Sequence, residues 1–168
     1  MYFNDFPTIE YDCTGNGNFT TIQDITTRVK VRKWIRSKGA IFSKYDVSDA
    51  ETPEQVAYTV YGATEDHWIV LIFNEITNTY YGWPLSRHNF VNFVENKYAN
   101  PQGTHHYEKA QASGNTRTML KYSDAVAGST AVTNLEYEQA IQNQKKQIRL
   151  LKPSYVSQFK AEFVELIT

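Results

Sequence analysis

The sequence has only one cysteine, Cys13, and no long apolar run. A single cysteine allows neither an intramolecular disulfide nor a cysteine-based zinc site, which fits a chain that folds in a reducing cytoplasm. The longest apolar run, Trp68 to Phe73, is far too short to span a bilayer. The first residues lack the basic and apolar regions of a signal peptide. We therefore expect a soluble protein that is not exported.

An excess of charge of either sign is also lacking, because the net charge is −1. Such a balance gives no general attraction to nucleic acid or to an anionic membrane. One stretch departs from it, with six basic residues and no acid between them: Arg28, Lys30, Arg32, Lys33, Arg36 and Lys38. A nucleic-acid patch is one interpretation. A solvated face, or a face that meets an acidic protein, is favoured because the whole chain is not basic.

No arrangement of residues typical of catalysis is found. His105 and His106 with Glu108 come near the spacing of metal ligands, but adjacent side chains of a strand point to opposite faces, so they are not expected to share an ion. His67 is interpreted as a hydrogen-bonded residue at a helix start. The sequence therefore predicts no catalytic residue, no metal ion and no cofactor, and hence a protein that is not an enzyme.

Aromatic residues are abundant and make up 14% of the chain, with 12 Tyr, 9 Phe and 3 Trp. Tyrosine and tryptophan have a large apolar face with one polar group, and they are enriched where surfaces are buried between proteins. A tyrosine-rich core is the alternative, and composition alone does not separate the two.

The best organised segment runs from residue 40 to 83. Alternation predicts a strand from Ile41 to Val47. Thr52, followed by Pro53 and Gln55, has the form of a capping box that starts a helix, and Gly62 ends it. A second, buried helix is predicted from Thr64 to Phe73, and a short returning strand at Tyr80–Pro84. The sequence thus predicts an α+β fold built on a strand-helix-helix-strand core.

The flanking segments give weaker patterns. Residues up to about 20 are rich in Gly and Asn and are predicted to be an arm or loop, and residues 22–35 resemble an exposed strand. Ser86 is predicted to cap a helix. Residues 99–131 are polar and punctuated by Gly and Ser. Within them, His106–Glu108 and Met119–Tyr122 are predicted to pair as a loose hairpin across Ser113–Asn115.

The C-terminal part predicts two helices. Thr133 caps the first, in which a heptad pattern runs from Tyr137 to Leu151, and Pro153 starts the second, in which Val156, Phe159 and Phe163 keep the same spacing. These apolar faces can fold back on the same molecule or pack on another, and their length beside a small core favours another molecule. The expected division is 1–39 arm, 40–98 core plus following helix, 99–131 excursion, and 132–168 C-terminal helices.

A family resemblance is carried by a series of short motifs: Thr52-Pro53-Glu54-Gln55-Val56-Ala57, Tyr61-Gly62, His67-Trp68, Asn74-Glu75-Ile76 and Tyr80-Tyr81-Gly82-Trp83-Pro84-Leu85-Ser86. The chain resembles the wedge protein fifty-three family of the baseplate of contractile-tailed phages. The resemblance implies a structural subunit of the tail baseplate in the virion, assembled in the host cytoplasm and present in multiple copies. The partners it implies are other wedge subunits, including a lysozyme-like component that initiates the sheath, with no nucleic acid and no membrane.

The strand-helix-helix-strand core is also similar to a LysM module, so binding of N-acetylglucosamine polymers is the alternative function. The Gly-Asp-Thr opening of such modules is replaced by Ala50-Glu51-Thr52, and the second helix is more apolar than in a free module. On the wedge interpretation, the residues expected at partner interfaces are Tyr80, Tyr81, Trp83, Ile141, Ile148, Val156, Phe159 and Phe163.

Overall fold

A computed structural model of the chain describes residues 2–26, 29–32, 35 and 39–167. Within these residues the chain forms seven strands and six α-helices. The strands are β1 (Thr8–Tyr11), β2 (Thr20–Gln23), β3 (Phe42–Asp46), β4 (Thr104–Ala110), β5 (Met119–Tyr122), β6 (Thr130–Thr133) and β7 (Gln147–Leu151). The helices are α1 (Pro53–Tyr61), α2 (His67–Phe73), α3 (Thr79–Gly82), α4 (Arg87–Lys97), α5 (Asn134–Lys146) and α6 (Val156–Ile167). The mixture confirms the predicted α+β class.

The chain divides into two compact units. The first unit comprises residues 1–47, 51–82 and 148–168, and the second comprises residues 48–50 and 83–147. In sequence, both segments of the second unit therefore lie inside the first. No helix among the described residues is long and apolar enough to cross a membrane.

The first unit starts with an antiparallel hairpin of β1 and β2, in which Ile9 pairs with Ile22. The strand predicted over residues 22–35 is wrong beyond Gln23, because residues 24–26 and 29–32 form no strand. Val31 is instead buried in the core, and this fixes the segment by packing. Of the six basic residues, Arg28, Lys33, Arg36 and Lys38 lie outside the described residues.

The helices α1 and α2 confirm their predicted signals. The Thr52 side chain accepts a hydrogen bond from the Gln55 backbone N–H, and the Gln55 side chain accepts one from the Thr52 N–H. Gly62 ends α1 with φ of 79°, a left-handed conformation that glycine adopts without a Cβ clash. A 3₁₀ turn leads into α2, where Ile69 and Val70 are fully buried.

The returning strand predicted at Tyr80–Pro84 is wrong, since residues 79–82 form the short helix α3. The Asn78 side chain accepts from the Tyr80 N–H at 2.9 Å, and the Asn78 carbonyl accepts from the Gly82 N–H at 2.8 Å. These local bonds satisfy the backbone in a helical turn. The strand that pairs with β3 is β7.

The first C-terminal helix predicted through Leu151 is also wrong in its last turn, because α5 ends at Lys146 and β7 follows. Ile148, Leu150 and Leu151 are buried in β7. The Asn74 side chain accepts from the Arg149 N–H at 2.9 Å and donates to the Arg149 carbonyl at 2.8 Å. Tertiary pairing thus overrides the helical spacing.

The core of the first unit is aromatic and is completed by α6. The ring centroid of Trp68 lies 5.6 Å from that of Phe159 and 4.7 Å from that of Phe163. The ring centroids of Phe159 and Phe73 are 4.8 Å apart. Lys160 reaches the buried Asp66 carboxylate with a shortest distance of 2.6 Å. Helix α6 therefore folds back on its own unit, not on another molecule as its length had favoured.

The second unit combines α4 and α5 with a three-stranded sheet. Ser86 caps α4, as predicted, and Phe90 and Val94 are its buried face. The predicted hairpin is confirmed, because β4 and β5 pair antiparallel with Tyr107 opposite Tyr122. Strand β6 adds to the other side of β4. Thr133 caps α5, as predicted, in a capping box with Glu136.

Candidate functional site

The residues predicted at partner interfaces fall into two groups in the structure. Tyr80 and Tyr81 are exposed on α3. The others are buried or half-buried in the folded chain: Trp83, Ile141, Ile148, Val156, Phe159 and Phe163. Tyr80 and Tyr81 are therefore the predicted interface residues with the most accessible side chains, and the role of the second group stays a prediction.

Tyr80 and Tyr81 form a projecting aromatic pair, with 86% and 78% of their surfaces exposed. The backbone beneath them is fixed by the Asn78 cap. Gly82 contributes to this fixation, because a Cβ at that position would lie 2.8 Å from Ile76 Cγ2. A rigid backbone that presents two tyrosines loses little conformational entropy when a partner covers them. We call these two residues the tyrosine pair.

The β1–β2 hairpin provides a second exposed apolar surface, which the sequence had not indicated. Register places Ile9 opposite Ile22 and Tyr11 opposite Thr20, so these side chains share one face. Glu10 and Thr21 share the other face and are joined by a 3.1 Å hydrogen bond. The apolar face is exposed at Ile9 and Tyr11. The alternation of polar and apolar residues in Thr8–Tyr11 is the sequence signal for this strand, but four residues are too few to distinguish a strand from a loop.

The loop of this hairpin is organised by one carboxylate. Asp12 accepts backbone N–H bonds from Thr14 at 3.0 Å, from Gly15 at 2.7 Å and from Gly17 at 2.7 Å. The bond from Gly17 is the main reason that the pKa of the Asp12 carboxyl is lowered; burial acts in the opposite direction, and the bonds from Thr14 and Gly15 add to the lowering. The Gly- and Asn-rich stretch is therefore a defined turn. Phe19 lies at its end with 64% of its surface exposed.

The second unit contains a buried polar network around Glu138, which is only 3% exposed. Lys97 Nζ and the Tyr98 hydroxyl both donate to Glu138 Oε1 at 2.7 Å. Burial acts to raise the pKa of this carboxyl, but the two hydrogen bonds and the charge of Lys97 lower it below its usual value. The network joins the end of α4 to α5.

The two adjacent histidines point toward each other, which corrects the expectation that they lie on opposite faces. His105 Nδ1 and His106 Nδ1 are 2.8 Å apart. The β4–β6 register shifts between Thr104 and His106, and such a bulge re-aims a side chain. His106 Nε2 lies 2.9 Å from Glu108 Oε1, and the His105 ring stacks on Tyr137 at 3.9 Å.

Within the described part of the chain, the geometry offers exposed apolar surfaces and no cluster of side chains arranged as in a catalytic site. Among the described residues, no group of three or more His, Cys, Asp and Glu side chains could hold a metal ion. Cys13 is exposed, and His67 contacts the carbonyl of Thr64 at 3.0 Å in the first turn of α2. The absence of catalysis and of a cofactor stays a prediction.

Comparison with known proteins gives two matches. A family model described as "Base plate wedge protein 53" matches residues 1–112. The curated "Baseplate wedge protein gp53" of Enterobacteria phage T4 is 23% identical over 188 residues, and the alignment covers 99% of this chain and 96% of the relative. Both matches include the hairpin, the helices α1 and α2, and the tyrosine pair.

Proposed function

The chain belongs to the family of base plate wedge protein 53, and from this premise we propose that it is a structural subunit that joins wedge subunits and neighbouring wedges in the baseplate of a phage tail. The family match extends over about two thirds of the chain, and the relative aligns over nearly its whole length. Its place is then the tail of the virion.

The observation that carries the joining role is the exposure of the tyrosine pair. Tyrosine is enriched among the residues that dominate binding energy at interfaces, and a partner that covers this exposed pair would remove a large aromatic area from water. The apolar face of the β1–β2 hairpin is the second surface. A two-stranded hairpin is marginal by itself in water, so packing against a neighbour would stabilise it.

The finer partner assignment belongs to the same proposal. The neighbours are other wedge subunits, among them the lysozyme-like component that initiates the sheath, with several copies in each baseplate assembled in the host cytoplasm. No nucleic acid, membrane or chemical reaction enters this role. No observation on the structure favours the LysM-type sugar-binding alternative, and the likeness to a LysM module stays an interpretation of the sequence.

The test is complementation of a phage that lacks this gene product, followed by quantitative mass spectrometry of purified tails. The wild-type chain should be present at the same copy number as the other wedge subunits. A double substitution, Tyr80→Ser with Tyr81→Ser, should reduce its incorporation at least tenfold, since two tyrosines covered by a partner contribute more than about 1.4 kcal/mol to an interface.

Tyr58→Ser is the matched control, because Tyr58 is an equally polar-tipped aromatic residue on α1 with 64% of its surface exposed. It should leave incorporation unchanged. Absence of the wild-type chain from tails would overturn the baseplate role itself. Normal incorporation of the double variant would overturn the assignment of the tyrosine pair while leaving the baseplate role intact.

A further inference from the structure

The loop between β1 and β2 contains the pair Asn16-Gly17, and asparagine is followed by glycine nowhere else in the chain. Such a pair can modify itself, because the backbone nitrogen of the glycine attacks the side-chain carbonyl carbon of the asparagine. Glycine has no Cβ, so its nitrogen reaches that carbon with little steric hindrance. The reaction, deamidation, needs no enzyme.

The reaction consists of two steps in which all atoms are accounted for. The Gly17 nitrogen gives up its proton to water or hydroxide and forms a bond to Asn16 Cγ. The bond from Cγ to Nδ2 then breaks, and ammonia leaves with a proton returned from the solvent. Water adds to either carbonyl carbon of the resulting succinimide ring, which gives aspartate or isoaspartate. Water is the only co-reactant.

The turn itself requires this pair of residues. The φ angle of Gly17 is 84°, in the left-handed region that residues with a Cβ rarely adopt. Asn16 Oδ1 accepts a hydrogen bond from the Asn18 N–H at 2.9 Å, which is the local bonding that favours asparagine in turns. Both residues of the pair are exposed. The residues that form the loop are therefore the ones that can deamidate.

Gly17 is held by a hydrogen bond in a loop that is open to solvent. In the described part of the chain, no atom beyond its chain neighbours lies within 4 Å of the point where a Gly17 Cβ would stand. The Gly17 N–H donates to Asp12 Oδ2 at 2.7 Å. Asp12 Oδ1 accepts from the N–H groups of Thr14 at 3.0 Å and Gly15 at 2.7 Å, so the carboxylate is itself fixed in the loop.

The bond between Gly17 and Asp12 opposes the first step of deamidation in two ways. Loss of the N–H proton would leave a negative nitrogen beside a negative carboxylate, and like charges at that distance repel each other. The bond also directs the nitrogen at Asp12, so an attack on Asn16 must first break a charge-assisted hydrogen bond. Because the pKa of the Asp12 carboxyl is lowered, chiefly by this same N–H, the carboxylate is a poor base and does not take the amide proton for itself.

We propose that Asn16 is a site of spontaneous deamidation and that Asp12 protects it, so that conversion to aspartate or isoaspartate is slow while the Asp12–Gly17 hydrogen bond exists and fast once it is lost. Either product adds a second carboxylate to the loop, and its repulsion from Asp12 would loosen the turn that leads into β2. The proposal does not depend on the baseplate function, because it concerns the chemistry of the chain alone.

Peptide mapping of the full chain by mass spectrometry, after incubation at mildly alkaline pH, tests the proposal. Fragmentation localises the change to residue 16 and separates isoaspartate from aspartate. The same chain in urea gives the rate of the unrestrained sequence. The folded wild type should deamidate at least about fivefold more slowly, as expected from one hydrogen bond in an exposed loop. Equal rates in the folded and the denatured chain would overturn the proposal.

Asp12→Asn removes the protecting bond with little change of shape. Asparagine keeps one oxygen for the N–H groups of Thr14 and Gly15, while its amide group, which cannot accept, faces Gly17. This folded variant should lose most of the fivefold protection. Glu10→Gln is the matched control, because it removes one negative charge from the same hairpin and leaves the bond from Gly17 in place. It should deamidate at the wild-type rate.

Two NMR measurements make the result decisive. Cross-peaks between Ile9 and Ile22 report that the hairpin is still paired, and a paired Asp12→Asn that deamidates as slowly as the wild type would contradict the protection. Hydrogen exchange of the Gly17 amide in the wild type needs no substitution, because base-catalysed exchange begins with the same loss of a proton. It should be slowed at least about fivefold relative to the chain in urea, and unslowed exchange would refute the role of Asp12.

Discussion

Asn74 is the residue whose substitution tests most sharply how the first unit is held together. Its side chain donates to the carbonyls of Val70 and Arg149, each at 2.8 Å, and accepts from the Arg149 N–H at 2.9 Å. Asn74 therefore ties the end of α2 to β7, 75 positions later in the sequence. Replacement by alanine removes three hydrogen bonds at once.

The magnitude follows from the usual net value of a hydrogen bond. Each contributes about 1 kcal/mol to stability, and the part of Arg149 that is open to water recovers some of the loss. We expect Asn74→Ala to lower the free energy of unfolding of the first unit by about 2–3 kcal/mol. Asn143→Ala is the matched control, because Asn143 is exposed on α5 and accepts only one bond, from Gln139. It should change stability by less than about 0.5 kcal/mol.

Asn74→Asp tests whether the loss of stability comes from the missing hydrogen bonds or from the smaller volume of alanine. Aspartate has the same shape but cannot donate when ionised, so its carboxylate would face two carbonyls at the C-terminus of α2, where a negative charge is unfavourable. At pH 7 this variant should be at least as unstable as Asn74→Ala. Protonation below about pH 4 restores a donor and should recover part of the loss.

Hydrogen exchange of β7 amides in urea is the appropriate assay, because two units need not unfold in one transition. It reports the first unit residue by residue. A cost below about 0.5 kcal/mol for Asn74→Ala, or a stable Asn74→Asp at pH 7, would refute the view that this side chain fixes β7.

Two further substitutions test individual contacts. Glu138→Gln should destabilise the second unit by about 1–3 kcal/mol, measured by hydrogen exchange of α5 amides in urea at pH 7, because Lys97 loses its buried partner. The pKa of Glu138 is lower in the folded chain than in the unfolded chain, where it is about 4.3. The stability that the ionised carboxylate contributes is therefore complete above the unfolded pKa and is lost as the pH falls through the folded pKa. The stabilities of the wild type and the variant should converge in acid. Gly82→Ala should lower the free energy of unfolding by about 1–3 kcal/mol, because the new Cβ would clash with Ile76. Adding Ile76→Ala should relieve part of that loss in a double-mutant cycle, whereas additive effects of the two substitutions would contradict the clash.

The parts of the fold that the sequence predicts well are those decided within a few residues. The caps at Thr52, Ser86 and Thr133 are bonds between a side chain and a backbone N–H three positions later, so the sequence contains all of the information needed. The hairpin across Ser113–Asn115 follows from its own turn in the same way.

The parts that the sequence did not predict depend on distant partners or on a local irregularity. Strand β7 was predicted to be helical because Ile148 and Leu151 keep a helical spacing, while Asn74 and β3, which decide its conformation, lie far away in the chain. The convergence of His105 and His106 required a register shift in β4, which no residue type marks. For the residues expected at interfaces, periodicity identified apolar side chains, but it does not tell which of them the chain itself buries, such as Phe163, and which it leaves exposed, such as Tyr80.

The first unit includes C-terminal residues that lie beyond the segment matched by the family model. The matched region, residues 1–112, contains β3, α1 and α2 but neither β7 nor α6. Without these, β3 lacks the strand it pairs with, and Trp68 lacks Phe159 and Phe163. The segment that the family model matches is therefore not a complete folding unit. Residues 148–167 must be present for its core to close, and the nearly full-length alignment with the T4 relative is the comparison that includes them.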